Sequence, residues 1–152
     1  MKKLFSVLAV LFVLGTTSSF AKVAIGAQGG YPLGGAVTFK IDAAPCVFAA
    51  NFAMNNDVMA VGVTADWWMA NPKIEGMWGY YYGLGVYGGA VLGDTVLFQM
   101  APRVLVGTNV FVLDRLLELY VQAAWEPTIT FGDSVTVDWT AFSANAGFRF
   151  WF

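Results

Sequence analysis

The residue types that most often carry out catalysis are scarce in this chain. Histidine is absent from all 152 residues, which excludes Ser-His-Asp triads, Cys-His pairs and the commonest transition-metal ligand together. Glu118 and Glu126 could act as an acid and a base, but no neighbouring pattern positions a substrate beside them. The glycine-rich stretch 26–30 belongs to an alternating strand pattern, which favours packing over nucleotide binding. We therefore expect no enzymatic activity, no cofactor and no bound metal.

Polar and apolar residues instead alternate along extended segments. In the segment 117–131, Leu119 and Val121 at odd positions are apolar, whereas Glu118 and Gln122 at even positions are polar. Because successive side chains of a strand point to opposite faces, such a segment has one polar and one apolar face. The polar faces together predict an interior network of Lys40, Asp66, Gln99, Arg103, Glu118, Gln122, Glu126 and Arg149.

The charges of this predicted network nearly cancel. A tight turn at Asp114 and Arg115 would place Arg103 directly opposite Glu126. Eight such strands, whose limits are given below, would close into a narrow barrel. Since unpaired charge in so narrow an interior is costly, we expect the network to be a packed polar core. One alternative is a narrow path for protons or ions. A small apolar ligand could instead use space beside the inward residues of the segment 78–91, which are Tyr81, Gly83, Gly85, Tyr87 and Gly89.

Turn signals divide the chain into eight alternating segments, an allowed number for a closed barrel. The segments are 22–30, 36–41, 47–54, 59–69, 78–91, 96–112, 117–131 and 141–152. They predict an all-β fold, an eight-stranded antiparallel transmembrane β-barrel with up-and-down meander topology. Pro102 should lie at a bulge or cost one ladder hydrogen bond, and residues 132–140 should form the longest polar connection.

The first residues resemble an export signal. Lys2 and Lys3 precede an apolar run at 4–14 and a small-x-small site at 19–21. This pattern predicts a cleaved helical signal peptide at 1–21 and a single barrel domain at 22–152. The apolar run is shorter than a membrane-spanning helix requires. Cys46, the only cysteine, lies far from the predicted cleavage site, so neither a lipid anchor nor an internal disulfide is expected.

The composition after residue 21 is apolar and acidic. Six basic and ten acidic residues give a net charge of 6 − 10 = −4, which offers no attraction to nucleic acid. Charges and turn residues interrupt every apolar stretch before it reaches the ~18 residues of a spanning helix. Lipid-facing strands need only alternate apolar residues. The expected partners are therefore outer-membrane lipids, and the expected state is a monomer.

Aromatic residues mark two further predicted features. Phe148, Phe150 and Phe152 alternate up to the C-terminus, as in the signal that the barrel assembly machinery of bacterial outer membranes recognises. Other aromatic residues on the predicted outward face could form the interfacial girdles of a membrane barrel, or could be simple lipid-facing bulk. These girdle candidates are Trp67, Trp78, Tyr80, Tyr82 and Trp125.

The order of several short motifs resembles a known family. The motifs are Gly26 to Lys40, Tyr80 to Gly85, Pro102-Arg103, Leu117 to Tyr120 followed by Glu126-Pro127, and Ala146 to Phe152. Together they resemble a family of small outer-membrane barrels of spirochaetes, similar in architecture to the OmpA and OmpX transmembrane domains. The resemblance covers nearly all of 22–152. It implies an eight-stranded barrel and no particular activity.

These features favour an outer-membrane barrel with a structural or surface-interaction role. The turns near Tyr31, Asn55, Gly93 and Asp133 are expected to face outward, where a host or envelope macromolecule could bind. The first alternative is a conduit for small molecules or ions, or a binder of an apolar ligand. The second is a soluble periplasmic carrier like a lipocalin, which would have an apolar interior and a polar exterior.

Overall fold

The computed structural model describes residues 22–32, 34–55 and 58–152. The signal peptide predicted for residues 1–21 lies outside these described residues. Parts of the turns predicted near Tyr31 and Asn55 lie outside them as well. Among the described residues, there is no helix that is long and apolar enough to cross a membrane.

The described chain consists of β-strands joined by turns. The segments rich in Val, Tyr, Phe and Trp form the strands, since β-branched and aromatic side chains suit a pleated surface. The strands are β1 (Val23–Tyr31), β2 (Gly34–Ile41), β3 (Cys46–Asn55), β4 (Val58–Ala70), β5 (Lys73–Glu75), β6 (Trp78–Leu92), β7 (Val96–Val112), β8 (Leu117–Trp125), β9 (Thr128–Phe131), β10 (Val135–Asp138) and β11 (Phe142–Trp151).

Eight of these strands close into an antiparallel barrel. Its order is β1-β2-β3-β4-β6-β7-β8-β11, and β11 pairs again with β1. Ala24 lies opposite Trp151 in the closing pair, and the backbones of Val23 and Phe152 exchange hydrogen bonds of 3.3 and 2.9 Å. The predicted all-β fold, the eight-stranded antiparallel barrel and the meander order are thus confirmed.

The two ends of the barrel differ in structure. We call the end that holds the first residues of β1 and the last residues of β11 the terminal end. The opposite end carries an additional hairpin of β9 and β10, and we call it the hairpin end. There, β9 pairs with both β7 and β10, so this part of the sheet extends beyond β1 and β2.

The strand predicted over 117–131 is divided in two, contrary to the sequence prediction. β8 ends at Trp125 and β9 starts at Thr128, yet both keep the same register with β7. That register places Pro102 opposite Pro127. The N–H of Glu126 points away from β7, to Ala141 O at 3.0 Å. Neither proline has an N–H to donate, so the ladder breaks at this pair.

Pro102 causes no bulge, because β6 and β7 pair without a register shift from Trp78↔Val110 to Leu92↔Val96. The predicted alternative, a loss of ladder bonding, occurs on the edge of β7 that faces β8 and β9. The connection predicted over 132–140 is also only partly irregular, since it contains β10. The short strand β5 after Asn71 was likewise not predicted. The other strand limits agree with the prediction to within two residues.

Along the middle of the barrel strands, side chains alternate between the inside and the outside of the barrel. On β7, Ala101, Arg103 and Leu105 are buried, while Val104 and Val106 between and after them are exposed. The buried set contains most of the charged residues on the long strands. The middle of the outer surface is formed largely by valine, with Val61, Val63, Val86, Val104, Val106 and Val121 all exposed.

Candidate functional site

Seven of the eight residues predicted to form the interior network are buried in the barrel. They are Lys40, Asp66, Arg103, Glu118, Gln122, Glu126 and Arg149. The eighth, Gln99, is half-buried near the hairpin end, where its amide donates to Thr130 Oγ1 at 3.4 Å. The charged members separate into two clusters with different partners.

Glu118 is the centre of the first cluster, which lies near the terminal end. Its carboxylate is fully buried and is 3.8 Å from Lys40 Nζ and 3.4 Å from Arg149 Nη1. It also accepts hydrogen bonds from Asn109 Nδ2 at 2.8 Å and Trp151 Nε1 at 3.1 Å. Two cations and two neutral donors therefore compensate the desolvation of one carboxylate.

Aromatic rings support the two cations of this cluster. Lys40 Nζ lies 3.5 Å from the ring centroid of Trp68, and the Arg149 guanidinium lies 3.8 Å from that of Tyr120. Arg149 Nε also donates to Thr38 Oγ1 at 3.2 Å. Cation–π contacts of this kind gain strength in a desolvated site. The first cluster has two positive charges and one negative charge.

Arg103 is the centre of the second cluster. Its Nε donates to Asp66 Oδ1 at 2.9 Å, and its Nη1 donates to Glu126 Oε2. Gly85 lies between Arg103 and Asp66 in the sheet and is paired with both. A side chain at Gly85 would collide with Asp66 Oδ1, so the absence of a side chain there allows Asp66 and Arg103 to meet. The second cluster has one positive charge and two negative charges, opposite in net sign to the first.

A stacked aromatic pair packs the interior as well. The rings of Trp68 and Tyr81 lie 3.7 Å apart and are nearly parallel, at 8°. Leu105 joins them in the same apolar group, and the Tyr81 hydroxyl donates to Gln122 Oε1 at 3.2 Å. Trp68, Tyr81 and Leu105 are at most 5% exposed. The barrel interior at this level is thus filled with side chains.

The arrangement of the carboxylates has a chemical consequence. Glu118 and Glu126 belong to different clusters, and each is paired with buried cations. They do not face a common space, so the acid–base pairing considered from the sequence does not form. No group of three or more metal-ligating side chains occurs among residues 22–32, 34–55 and 58–152.

Several interior residues were not singled out from the sequence. Trp68 and Trp151 were missed as partners of the charged network, as was Thr38. The alternation contained the signal for two of them. Trp151 lies between two outward-facing phenylalanines, and Trp68 has the same parity as Asp66. Which cation each ring would meet depends on barrel closure, and the alternation does not specify it.

The predicted assembly signal and girdle candidates lie on the outer surface. Phe148, Phe150 and Phe152 are exposed, as are Trp67, Trp78, Tyr80, Tyr82 and Trp125. Trp78 begins β6, and Trp67 faces Cys46, the first residue of β3, so both lie near the terminal end. Trp125 ends β8 opposite Phe142 and lies toward the hairpin end. The candidates therefore divide between two levels of the barrel.

Comparison with protein-family models, with curated proteins and with solved structures gave no match for this chain. A functional hypothesis for the protein depends on the barrel itself, its surface and its interior.

Proposed function

We propose that this protein is an integral β-barrel of a bacterial outer membrane, with a structural or surface-interaction role and a lumen filled by side chains. One observation carries the proposal, namely that the barrel is apolar outside and charged inside. Val63, Val86 and Phe98 are each about 60% exposed, whereas Arg149 and Glu118 are fully buried. A soluble protein rarely exposes an apolar surface that surrounds the molecule. A bilayer favours this distribution.

The strand lengths support the same proposal. The eight barrel strands contain between 8 and 17 residues, and a tilted strand needs ~9–11 residues to cross the hydrocarbon layer. A closed barrel leaves no strand edge unpaired within the lipid, where a free N–H or C=O would be costly. The shortest of the eight barrel strands, β2, is paired on both sides along its length.

The outer aromatic residues suggest how the barrel sits in the bilayer. Trp67 and Trp78 near the terminal end, and Trp125 near the hairpin end, lie above and below the valine-rich band. Indole rings prefer the headgroup level, where the ring is partly apolar and the N–H can find a partner. Trp125 Nε1 donates to Trp139 O at 2.8 Å. In the proposed orientation, the terminal end faces the periplasm.

The hairpin of β9 and β10 supports a role in surface interaction. In this orientation it extends outside the cell. All four residues of β10 are exposed, and one edge of this strand has no partner strand among the described residues. Val135, Val137 and Trp139 place large apolar side chains on the exposed hairpin. An envelope or host macromolecule could contact these groups.

The two alternatives fit the structure less well. A soluble carrier like a lipocalin needs an apolar interior, whereas here the interior contains six charged side chains. A conduit needs a continuous opening, whereas Trp68 and Tyr81 are packed together inside the barrel. Neither arrangement provides the space that these functions require.

Membrane assembly is the first property to test. We would express the full chain with and without Phe152, separate the soluble and membrane fractions, and compare gel mobility before and after boiling. The proposal expects the intact chain in the outer-membrane fraction, with a compact form that boiling unfolds. Recovery of the intact chain as a soluble periplasmic protein would contradict it and would favour the carrier.

Substitutions distinguish the contribution of the Phe152 ring from that of its backbone hydrogen bonds. Deleting it removes the backbone hydrogen bonds with Val23 as well as the ring. Phe152→Ala keeps the backbone and removes only the ring. Phe52→Ala is a matched control, because Phe52 is exposed to nearly the same extent, 57% against 56%. If the ring is recognised during assembly, Phe152→Ala should lower the assembled fraction and Phe52→Ala should not.

A further inference from the structure

The hairpin end of the barrel contains an open cavity that the proposed function does not use. Its volume is about 430 Å³, and it lies between the last residues of β1, the middle of β6 and the hairpin of β9 and β10. That volume is within the range of small-molecule sites. The side chains that matter for its chemistry are Tyr31, Tyr87, Gln99, Glu126, Asp138 and Phe142. We call this cavity the vestibule.

Among the described residues that line the vestibule there are two acids, Glu126 and Asp138, and no base. Glu126 forms an ion pair with Arg103, and Asp66 forms an ion pair with the same guanidinium. One cation therefore opposes two carboxylates, and this cluster has a net charge of −1. Asp138 adds a second carboxylate at the opening. Hydrogen bonds from the hydroxyl and the N–H of Thr140 lower the pKa of the Asp138 carboxyl group and so favour its charged form. The vestibule is therefore negatively charged.

The surrounding charges have the same sign. Apart from the interior pair of Glu126 and Arg103, the acidic residues described at the hairpin end are Asp94, Asp133 and Asp138, and no described lysine or arginine lies on the surface there. The described basic residues lie in the interior or at the terminal end and are Lys22, Lys40, Lys73, Arg103, Arg115 and Arg149. A concave site within a field of one sign concentrates ions of the opposite sign. The hairpin end should thus attract cations.

A buried hydroxyl group provides an independent indication of a ligand. Tyr87 borders the vestibule, is only 5% exposed, and its hydroxyl has no hydrogen-bond partner among the described residues. Its ring lies against Gly62 and Gly89, whose lack of side chains makes room for it. A buried hydroxyl without a partner costs free energy. Because Tyr87 lines the vestibule, a ligand bound there could supply the missing hydrogen bond.

We propose that the vestibule binds a small organic ammonium ion. Glu126 and Asp138 would oppose its positive charge, and the buried ring of Tyr87 would contact its alkyl groups. The exposed rings of Tyr31 and Phe142 border the opening of the vestibule. The Tyr87 hydroxyl and the Gln99 amide would orient a polar substituent of the ligand. This inference goes beyond the proposed function, since it concerns the cavity and not the membrane surface.

Choline is a suitable probe because a neutral molecule of the same shape exists. We would titrate choline chloride, and separately 3,3-dimethylbutan-1-ol, into ¹⁵N-labelled folded protein at constant ionic strength. The detergent should be non-ionic, since choline head-groups would compete. We expect saturable shifts at the amides of residues 126–130 and 138–142 with choline only. Equal binding of both molecules, or no saturable shift with choline, would overturn the proposal.

Variants then locate the site. Glu126→Gln should weaken choline binding by about fivefold or more, because it removes the nearest buried negative charge. Tyr87→Phe should weaken it by about threefold through the lost hydroxyl. Asp94→Asn is the matched control, since Asp94 is an acid at the same end that does not line the vestibule.

A second acidic residue tests the site even if Glu126→Gln fails to fold. Asp138 is fully exposed, so Asp138→Asn should fold normally and still weaken choline binding by about twofold. Binding that is unchanged in Tyr87→Phe and Asp138→Asn would contradict the assignment. An equal loss in Asp94→Asn would show general charge attraction and would overturn it as well.

Discussion

Arg103 on β7 forms an ion pair with Glu126, which lies at the break between β8 and β9, and it simultaneously holds Asp66 on β4. One guanidinium thus connects elements on both sides of β6. A planar group with donors in a fixed fork is suited to two carboxylates at once. The position of Glu126 also explains how the broken strand keeps its register, since the ion pair lies directly beside the facing prolines.

Removing the central cation alone should lower the free energy of unfolding more than removing all three charges of the cluster. Arg103→Met leaves Asp66 and Glu126 buried without a counter-charge and should lower the free energy of unfolding by ~3–5 kcal/mol. The triple variant Asp66→Asn/Arg103→Met/Glu126→Gln contains no buried charge at this place and should be more stable than Arg103→Met. Urea unfolding in lipid vesicles, followed by tryptophan fluorescence, would measure both. Equal destabilisation would argue against charge pairing as the main role of the cluster.

The sequence was sufficient to predict pairs on neighbouring strands but not contacts across the barrel. The turn at Asp114 and Arg115 determines the register of β7 and β8, so Arg103 and Glu126 could be placed opposite each other in advance. Lys40 and Glu118 lie on strands that are not adjacent. Their contact depends on how far the strands are staggered when the barrel closes, and alternation contains no information about stagger.

The break at Pro127 was unpredicted for a different reason. A single proline in a strand is tolerated when its neighbour can adjust or when it lies at an edge. Here the loss of bonding comes from Pro102 and Pro127 facing each other, which is a property of the pair. The strands β5 and β10 were missed because they are short and exposed on all their residues, and so have no apolar alternation.

The aromatic stack in the lumen should determine whether the barrel conducts ions. In planar bilayers we expect no conductance from the wild-type protein, since Trp68 and Tyr81 are packed in its interior. The double variant Trp68→Ala/Tyr81→Ala removes both rings and should produce small, measurable currents. The control Trp67→Ala/Tyr82→Ala removes exposed rings from neighbouring positions and should stay closed. Wild-type conductance as large as that of the double variant would favour the conduit function.

The turn between β7 and β8 contains backbone strain that a glycine should relieve. Leu113, Asp114 and Arg115 have φ angles of 52°, 53° and 71°, which place three consecutive residues with side chains in the left-handed region. Each such residue costs on the order of 1–2 kcal/mol. Leu113 is 66% exposed, so its side chain contributes little by packing. We expect Leu113→Gly to raise the free energy of unfolding by ~0.5–1 kcal/mol after the entropy of the unfolded chain is included.

Leu116 provides the control for this substitution. It lies in the same turn and is also exposed, but its φ is not positive. Leu116→Gly should therefore leave stability unchanged or lower it. Unfolding of both variants in urea would test the difference. Stabilisation by both substitutions, or by neither, would show that the left-handed backbone is not the cause.

The closing strand pair should be the most sensitive place to add a single methyl group. Gly26 on β1 faces Arg149 on β11, and a Cβ at Gly26 would overlap the carbonyl oxygen of Phe148. To avoid this overlap, β1 would have to move away from β11, which would break the hydrogen bonds that close the barrel. We therefore expect Gly26→Ala to abolish the compact form on unboiled gels. Gly88→Ala adds the same methyl group where no atom lies within 4 Å and should assemble normally. If Gly26→Ala assembled as well as Gly88→Ala, the tight pairing of β1 and β11 would not be needed for closure.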